Sequence, residues 1–190
     1  MFQLSNAFSD AVLATVCIAV FFRFFARIPF YNRILWGIFL VTTALAAAAG
    51  TFRFLGFQDI TDTHRSLTVL AGSVGLACAV VAVWGTVMHQ SMTRMAVILT
   101  TSLGLVLFVF LLYPTFQVFG AVAQSFTMLL VVLIGVFGLM KKNQRAIWVI
   151  IGVMIIGLAT KVATHHLPLN PTDTYHYALA VMIYCFGRVV

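Results

Sequence analysis

Seven apolar runs, each about long enough to cross a lipid bilayer and separated by a few polar residues, leave this chain little choice of fold. They fall at about 8–28, 33–55, 65–88, 94–113, 116–140, 145–161 and 174–189. A hydrocarbon layer about 30 Å thick takes roughly 20 mostly apolar residues per helical crossing. Seven such runs consume nearly all of the 190 residues and leave no room for a soluble domain. The expectation is one transmembrane domain over 1–190: an all-α, polytopic seven-helix bundle. Composition agrees, since 63% of residues are hydrophobic and 8% charged, where a soluble domain carries about 25% charged residues.

The separators carry helix-breaking chemistry. Pro29 and Asn32 mark the first junction, residues 56–63 the second, residues 89–93 the third, Pro114 the fourth, residues 141–144 the fifth, and residues 163–173, with Pro168 and Pro171, the sixth. No internal repeat or low-complexity stretch stands out. The first basic residue, Arg23, follows the first apolar run instead of preceding it, so that run reads as a retained helix and not a signal peptide. Cys17, Cys78 and Cys185 each lie inside an apolar run without a CxxC pair and read as packing residues.

Basic residues set the expected orientation. With the N-terminus outside and the C-terminus inside, Arg23, Arg27, Arg33, Arg94, Lys141, Lys142, Arg145 and Arg188 fall on the inner side, against Arg53, Arg65 and Lys161 on the outer. The net charge of +7 then reflects orientation and contact with anionic headgroups, not nucleic acid. The run Phe21-Phe22-Arg23-Phe24-Phe25-Ala26-Arg27 reads as an interfacial helix end with snorkelling guanidinium groups. Small residues at Ala46/Gly50, Gly72/Gly75 and Gly135/Gly138 mark close approaches between helices.

Titratable residues are scarce and one-sided. There is no glutamate, and the four aspartates (Asp10, Asp59, Asp62, Asp173) all fall at the outer end under this topology. So do His64, His165, His166 and His176, leaving only His89 inside. Asp10 lies within the first apolar run, where an ionised carboxylate is expensive unless paired, and Asn6 shares its helical face four residues earlier. Asp173 and His176 share a face at the start of the last helix, and His64 opens the third.

Convergence of Asp10, His64, Asp173 and His176 would have the chemistry of a zinc site, with His64 and His176 as ligands. The metal would activate a water to attack an ester or amide carbonyl, with Asp10 or Asp173 as general base. Asn6, Arg53, Asp62, His165, His166 and Asn170 are further candidates for the polar site. Plainer roles stand beside these: Asp173 as a helix-capping residue, Asp59 and Asp62 as solvated loop residues, and His165-His166 as surface. No HExxH, CxxC, Walker or GxSxG pattern is present.

The helix pattern together with His64, Asp173 and His176 resembles the alkaline ceramidase, adiponectin receptor and Per1 superfamily. That likeness implies a heptahelical fold with a zinc on three histidines and hydrolysis of lipid amides or esters. Ala180 stands where that superfamily places a second histidine, and Thr63-His64-Arg65-Ser66 alone represents its serine–histidine motif. Several of its members hold zinc towards the cytosol, opposite to the orientation read here. The segment Asn170-Pro171-Thr172-Asp173-Thr174-Tyr175-His176, with Asn6/Asp10 and the Trp36…Gly50 helix, is more similar to a group of small microbial seven-helix proteins. That likeness implies a site at Asp10, Asn170, Asp173 and His176 and no particular reaction.

The leading functional expectation is a zinc-dependent hydrolase of lipid-like amides or esters in a bacterial cytoplasmic membrane. The alternatives are a small-molecule or proton-coupled transporter or channel, a haem protein with His64 and His176 as axial ligands, and a non-catalytic accessory subunit. The expected partners are the lipid bilayer, a lipid-like substrate, and a second copy or another membrane subunit.

Overall fold

The computed structural model describes residues 4–162 and 170–190, and no strand occurs among them. Helix α1 (Leu4–Val20) runs on through a wider π-helical turn, Phe21–Phe25, and α2 spans Phe30–Phe54. A one-turn 3-10 segment, Gln58–Ile60, leads into α3 (Thr61–Leu70), which a second π-turn, Ala71–Gly75, joins to α4 (Leu76–Val87) as one continuous rod. Then come α5 (Arg94–Leu112), α6 (Val118–Met140), α7 (Ile147–Val162) and α8 (Pro171–Gly187).

Six of these segments are long and apolar enough to cross a membrane: Leu4–Phe25, Phe30–Phe54, Gln58–Val87, Arg94–Leu112, Val118–Met140 and Gln144–Lys161. The final helix is 17 residues long and opens with a polar turn. Large apolar side chains such as Phe22, Leu103, Val106, Val118 and Met140 point outward, as expected of a multi-pass membrane protein. Several helices begin a turn earlier than the apolar runs suggest, α1 at Leu4, α3 at Thr61 and α8 at Pro171. The extra turns are polar and gather at one end of the bundle, so hydropathy alone leaves them out.

The helices close a ring. Helix α1 packs between α2 and α8, α8 on α7, α7 on α6, α6 on α4, and the α3–α4 rod on α2, while α5 lies outside against α4 and the second π-turn. Glycines supply the close approaches, in keeping with small-residue packing between membrane helices. A Cβ on Gly104 would stand 2.7 Å from the Val74 backbone, one on Gly75 2.5 Å from Thr42 Oγ1, and one on Gly135 2.8 Å from Ile150.

The end of the bundle that holds the 25–30, 87–94 and 140–147 connections is tied by amide, indole and guanidinium donors, Arg33 Nη1 reaching Ala26 O at 2.9 Å and Arg145 Nη1 Val190 O at 2.6 Å. Asn32 Nδ2 donates to Gln90 O at 2.8 Å while its Oδ1 accepts from Met92 N at 2.7 Å. Asn143 Nδ2 donates to Val87 O at 2.9 Å, and Trp36 Nε1 donates to Thr86 Oγ1 at 3.0 Å. Next to these ties, at the same end, Trp36 stacks on Phe25 at 4.3 Å and meets Phe39 and Phe186, giving a solid aromatic layer.

Three helices end in the same way. After α2, Gly56 N donates to Arg53 O and Phe57 N to Phe52 O, with the Phe52 and Phe57 rings in contact at 6.1 Å. This is the Schellman arrangement, whose residue just past the helix takes a positive φ; Gly56 has φ 109°. His89 (φ 53°) and Lys142 (φ 65°) fill the same role after α4 and α6. His89 is thus a helix-ending residue and lies away from the other described histidines.

Gly56→Ala should lower stability by about 1–3 kcal/mol, because an L side chain is strained at that φ. Gly157→Ala, whose Cβ meets nothing within 4 Å, should be neutral or slightly stabilising. Thermal unfolding of the two variants in the same detergent checks the contrast.

Candidate functional site

Helix α1 carries a polar stripe on an otherwise apolar rod: Ser5, Asn6, Ser9 and Asp10, spaced so that all four share one side. Asn6, Ser9 and Asp10 are buried, Ser9 at 0% and Asp10 at 1% exposure. Helix α8 meets this stripe with Asn170, Asp173 and His176. Asn170 caps α8 by accepting from Thr172 N at 3.1 Å, and its amide donates to Asn6 Oδ1. Asp173 sits in the first turn of α8 but reaches across to α1, accepting from Ser5 Oγ and, at 2.7 Å, from Ser9 Oγ.

The imidazole of His176 completes the junction. Its Nδ1 lies 3.1 Å from Asp10 Oδ1 and 3.3 Å from Ser9 Oγ. The single Ser9 hydroxyl proton serves Asp173 at 2.7 Å or the Asn6 carbonyl at 3.0 Å, so Ser9 Oγ faces His176 as an acceptor, and the Asp10 carboxylate is an acceptor as well. This network assigns the proton to Nδ1 and leaves Nε2 as the basic nitrogen. Ser9 is not arranged as a nucleophile, since it approaches the same ring nitrogen as Asp10 and is fully buried.

The other carboxylate oxygen, Asp10 Oδ2, is buried and has no hydrogen-bond partner among the described residues. It lies against Gly50 of α2, where a Cβ would overlap the carboxylate outright and stand 3.1 Å from His64 Nε2. Gly50 is therefore the gap through which α1 and α3 bring Asp10 and His64 to a common point. Arg53, one helical turn on from Gly50, exerts its charge on both Asp10 and His64 while its guanidinium rests on the Phe54 ring at 5.1 Å.

Asp10, His64 and His176 all border one cavity of about 500 Å³. Its remaining wall is mostly apolar, including Leu13, Phe39, Leu76, Met128, Ile156 and Leu179, with Thr43, Thr68, Gln124, Ser125, Thr160 and Tyr175 as polar exceptions. The π-turn supplies Ala71 and Gly72 to the wall. Within it the Ser73 hydroxyl donates back to Val69 O at 2.6 Å. Wide turns of this kind recur at functional sites.

Of the residues singled out from sequence, Asn6, Asp10, Asn170, Asp173 and His176 come together directly, and His64 joins them at Gly50. Asp173 does not border the cavity; it acts on His176 through Ser9. Asp62 is exposed in the first turn of α3 and takes no part, because that turn presents His64 inward and Asp62 outward. His165 and His166 lie outside the described residues. Ser5, Ser9, Gly50, Gln124 and Ser125 are additions to the sequence reading. The spacing of two serines beside Asn6 and Asp10 was a usable signal for the first pair, and a Gln-Ser pair inside the apolar run of α6 for the last. Gly50 read only as a packing residue.

Zinc requires several ligands at about 2 Å from one point. Among the described residues no three His, Cys or Asp side chains are grouped in that way.

Over residues 5–190 the chain matches the model of a family of unknown function, DUF6962, and it belongs to that family. No curated protein and no solved structure matches it.

Two substitutions probe the geometry. Gly50→Ala should drive the Asp10 carboxylate from its place and lower stability by about 1–3 kcal/mol, the usual range for overpacking. Ser9→Ala should cost a similar amount by leaving Asp173 and His176 short of a buried partner. Thermal unfolding measures both, and a Ser9→Ala protein as stable as the parent would remove Ser9 from the network.

Proposed function

We propose that this is a seven-crossing membrane protein with its N-terminus outside, whose cavity hydrolyses a lipid-like amide or ester by acid–base catalysis. The observation that carries this reading is that Asp10, His64 and His176, from three separate helices, border the same largely apolar cavity. An apolar wall suits an acyl chain, and a buried Asp–His pair at the polar end suits activation of water.

In the proposed reaction Asp10 holds the Nδ1–H of His176, and Nε2 takes a proton from a water as its oxygen bonds to the carbonyl carbon. The imidazolium then returns that proton to the departing nitrogen or oxygen as the C–N or C–O bond breaks. The products are a carboxylic acid and an amine or alcohol. His64, on the other side of Asp10, is the residue best situated to donate to the carbonyl oxygen. Every step uses the chain's own side chains.

The outward orientation has the excess of inner basic residues behind it. Proton-coupled transport is the competing reading, favoured by Asp10 Oδ2, which has no hydrogen-bond partner among the described residues. A transport path would have to pass the packed layer of Phe25, Trp36, Phe39 and Phe186, all at or below 2% exposure, so hydrolysis is preferred.

The test uses purified protein in nanodiscs with a panel of fluorogenic acyl amides and esters. Asp10→Ala and His176→Ala should each reduce turnover by about 10²-fold or more, the usual size of a general-base contribution. Metal analysis of the same preparation gives the zinc content. A folded protein that turns over no member of the panel, yet acidifies proteoliposomes in an Asp10-dependent manner, would replace hydrolysis by transport.

A further inference from the structure

The cavity has a particular way in and a particular chemical demand at its end. Its mouth involves α6 and α7, where Gln124, Ser125, Gly157 and Thr160 border the cavity and are exposed on the bundle's outer surface. Gln124 lies six residues into α6, about 9 Å along the helix at 1.5 Å per residue. In a membrane-spanning bundle that depth falls in the hydrocarbon, so the mouth faces lipid tails. Asp10 borders the cavity, and its Oδ2 is buried beside Gly50 and has no hydrogen-bond partner among the described residues. A buried acceptor in that condition is costly, and a donor arriving from a ligand removes the cost.

We infer that the cavity takes an amphipathic lipid from within the bilayer, admitted between α6 and α7, whose head group donates a hydrogen bond to Asp10 Oδ2. The head is a hydroxyl, an amine or an amide N–H; an acceptor-only head does not satisfy the site. His64 Nε2, beside the same oxygen at Gly50, gives the head a second polar contact. The apolar body lies along Leu76, Met128 and Ile156 towards the mouth. The inference rests on the same cavity as the hydrolytic reading but requires no turnover, so the two can fail separately.

The experiment compares two photoactivatable twelve-carbon probes that differ by one donor, a fatty alcohol and its methyl ether, in phosphatidylcholine nanodiscs containing the full chain. Covalent labelling is located by peptide mass spectrometry. Labelling of cavity-wall peptides by the alcohol should exceed that by the ether about tenfold, the scale of a hydrogen bond to a charged acceptor. Gly157→Leu, at a position where a Cβ meets nothing within 4 Å, should narrow the mouth and reduce alcohol labelling at least threefold with the fold intact. Asp10→Leu should bring the two probes to the same level.

Equal labelling by alcohol and ether in the parent protein overturns the donor requirement. Unchanged labelling in Gly157→Leu overturns the lateral entry. Donor-selective labelling in a protein that hydrolyses nothing upholds this inference and removes the proposed reaction.

Discussion

A carboxyl group held at 1% exposure among apolar helices is destabilising by several kcal/mol unless neighbouring groups answer it, and Asp10 is in that position. The upper half of the bundle is organised around this demand. His176 answers one oxygen, Ser9 and Asp173 fix His176, Asn170 and Asn6 hold the two helices in register, and Gly50 stays bare so that the second oxygen has somewhere to lie. The polar first turns of α1, α3 and α8 exist to deliver these groups. Their polarity, which hydropathy treats as the edge of a helix, is what the helices there are built to present.

The two ends of the bundle are held by different chemistry. At the end of the 87–94 connection the ties run largely from side chains to backbone carbonyls: the Asn32 amide closes a loop, the Asn143 amide caps α4, the Arg33 and Arg145 guanidinium groups donate to Ala26 O and Val190 O, and Trp36 packs in an aromatic layer. None leaves a buried polar atom without a partner. At the other end the ties are ionisable and incomplete. Among the described residues, Asp10 Oδ2 is the buried side-chain polar atom left without a hydrogen-bond partner, and it belongs to a residue that borders the cavity.

The helical architecture could be read from composition and run length, because lipid admits few alternatives to a helix whose backbone bonds are internal. Much of the site could be read as well: Asn6, Asp10, Asn170, Asp173 and His176 were conspicuous as polar residues in or beside apolar runs. Their division of labour could not. Asp173 and Asp10 look alike in the sequence, and only the packing of α1 on α8 puts one against two serines and the other against His176 and the cavity. Gly50 has no side chain to advertise its part. The π-turn at 71–75 is invisible to a 3.6-residue period, since one extra residue in a turn changes the wall of the cavity without changing the hydropathy of the run.

The contact between α1 and α8 joins residues 164 to 168 positions apart. Helices leave the ribosome in order, so α1 is made well before α8. Until α8 is made, Asp10 of α1 lacks its imidazole partner, although α1 already has α2 to pack on. The side of the ring between α1 and α8 therefore closes late, and a change that removes α8 would leave Asp10 unanswered.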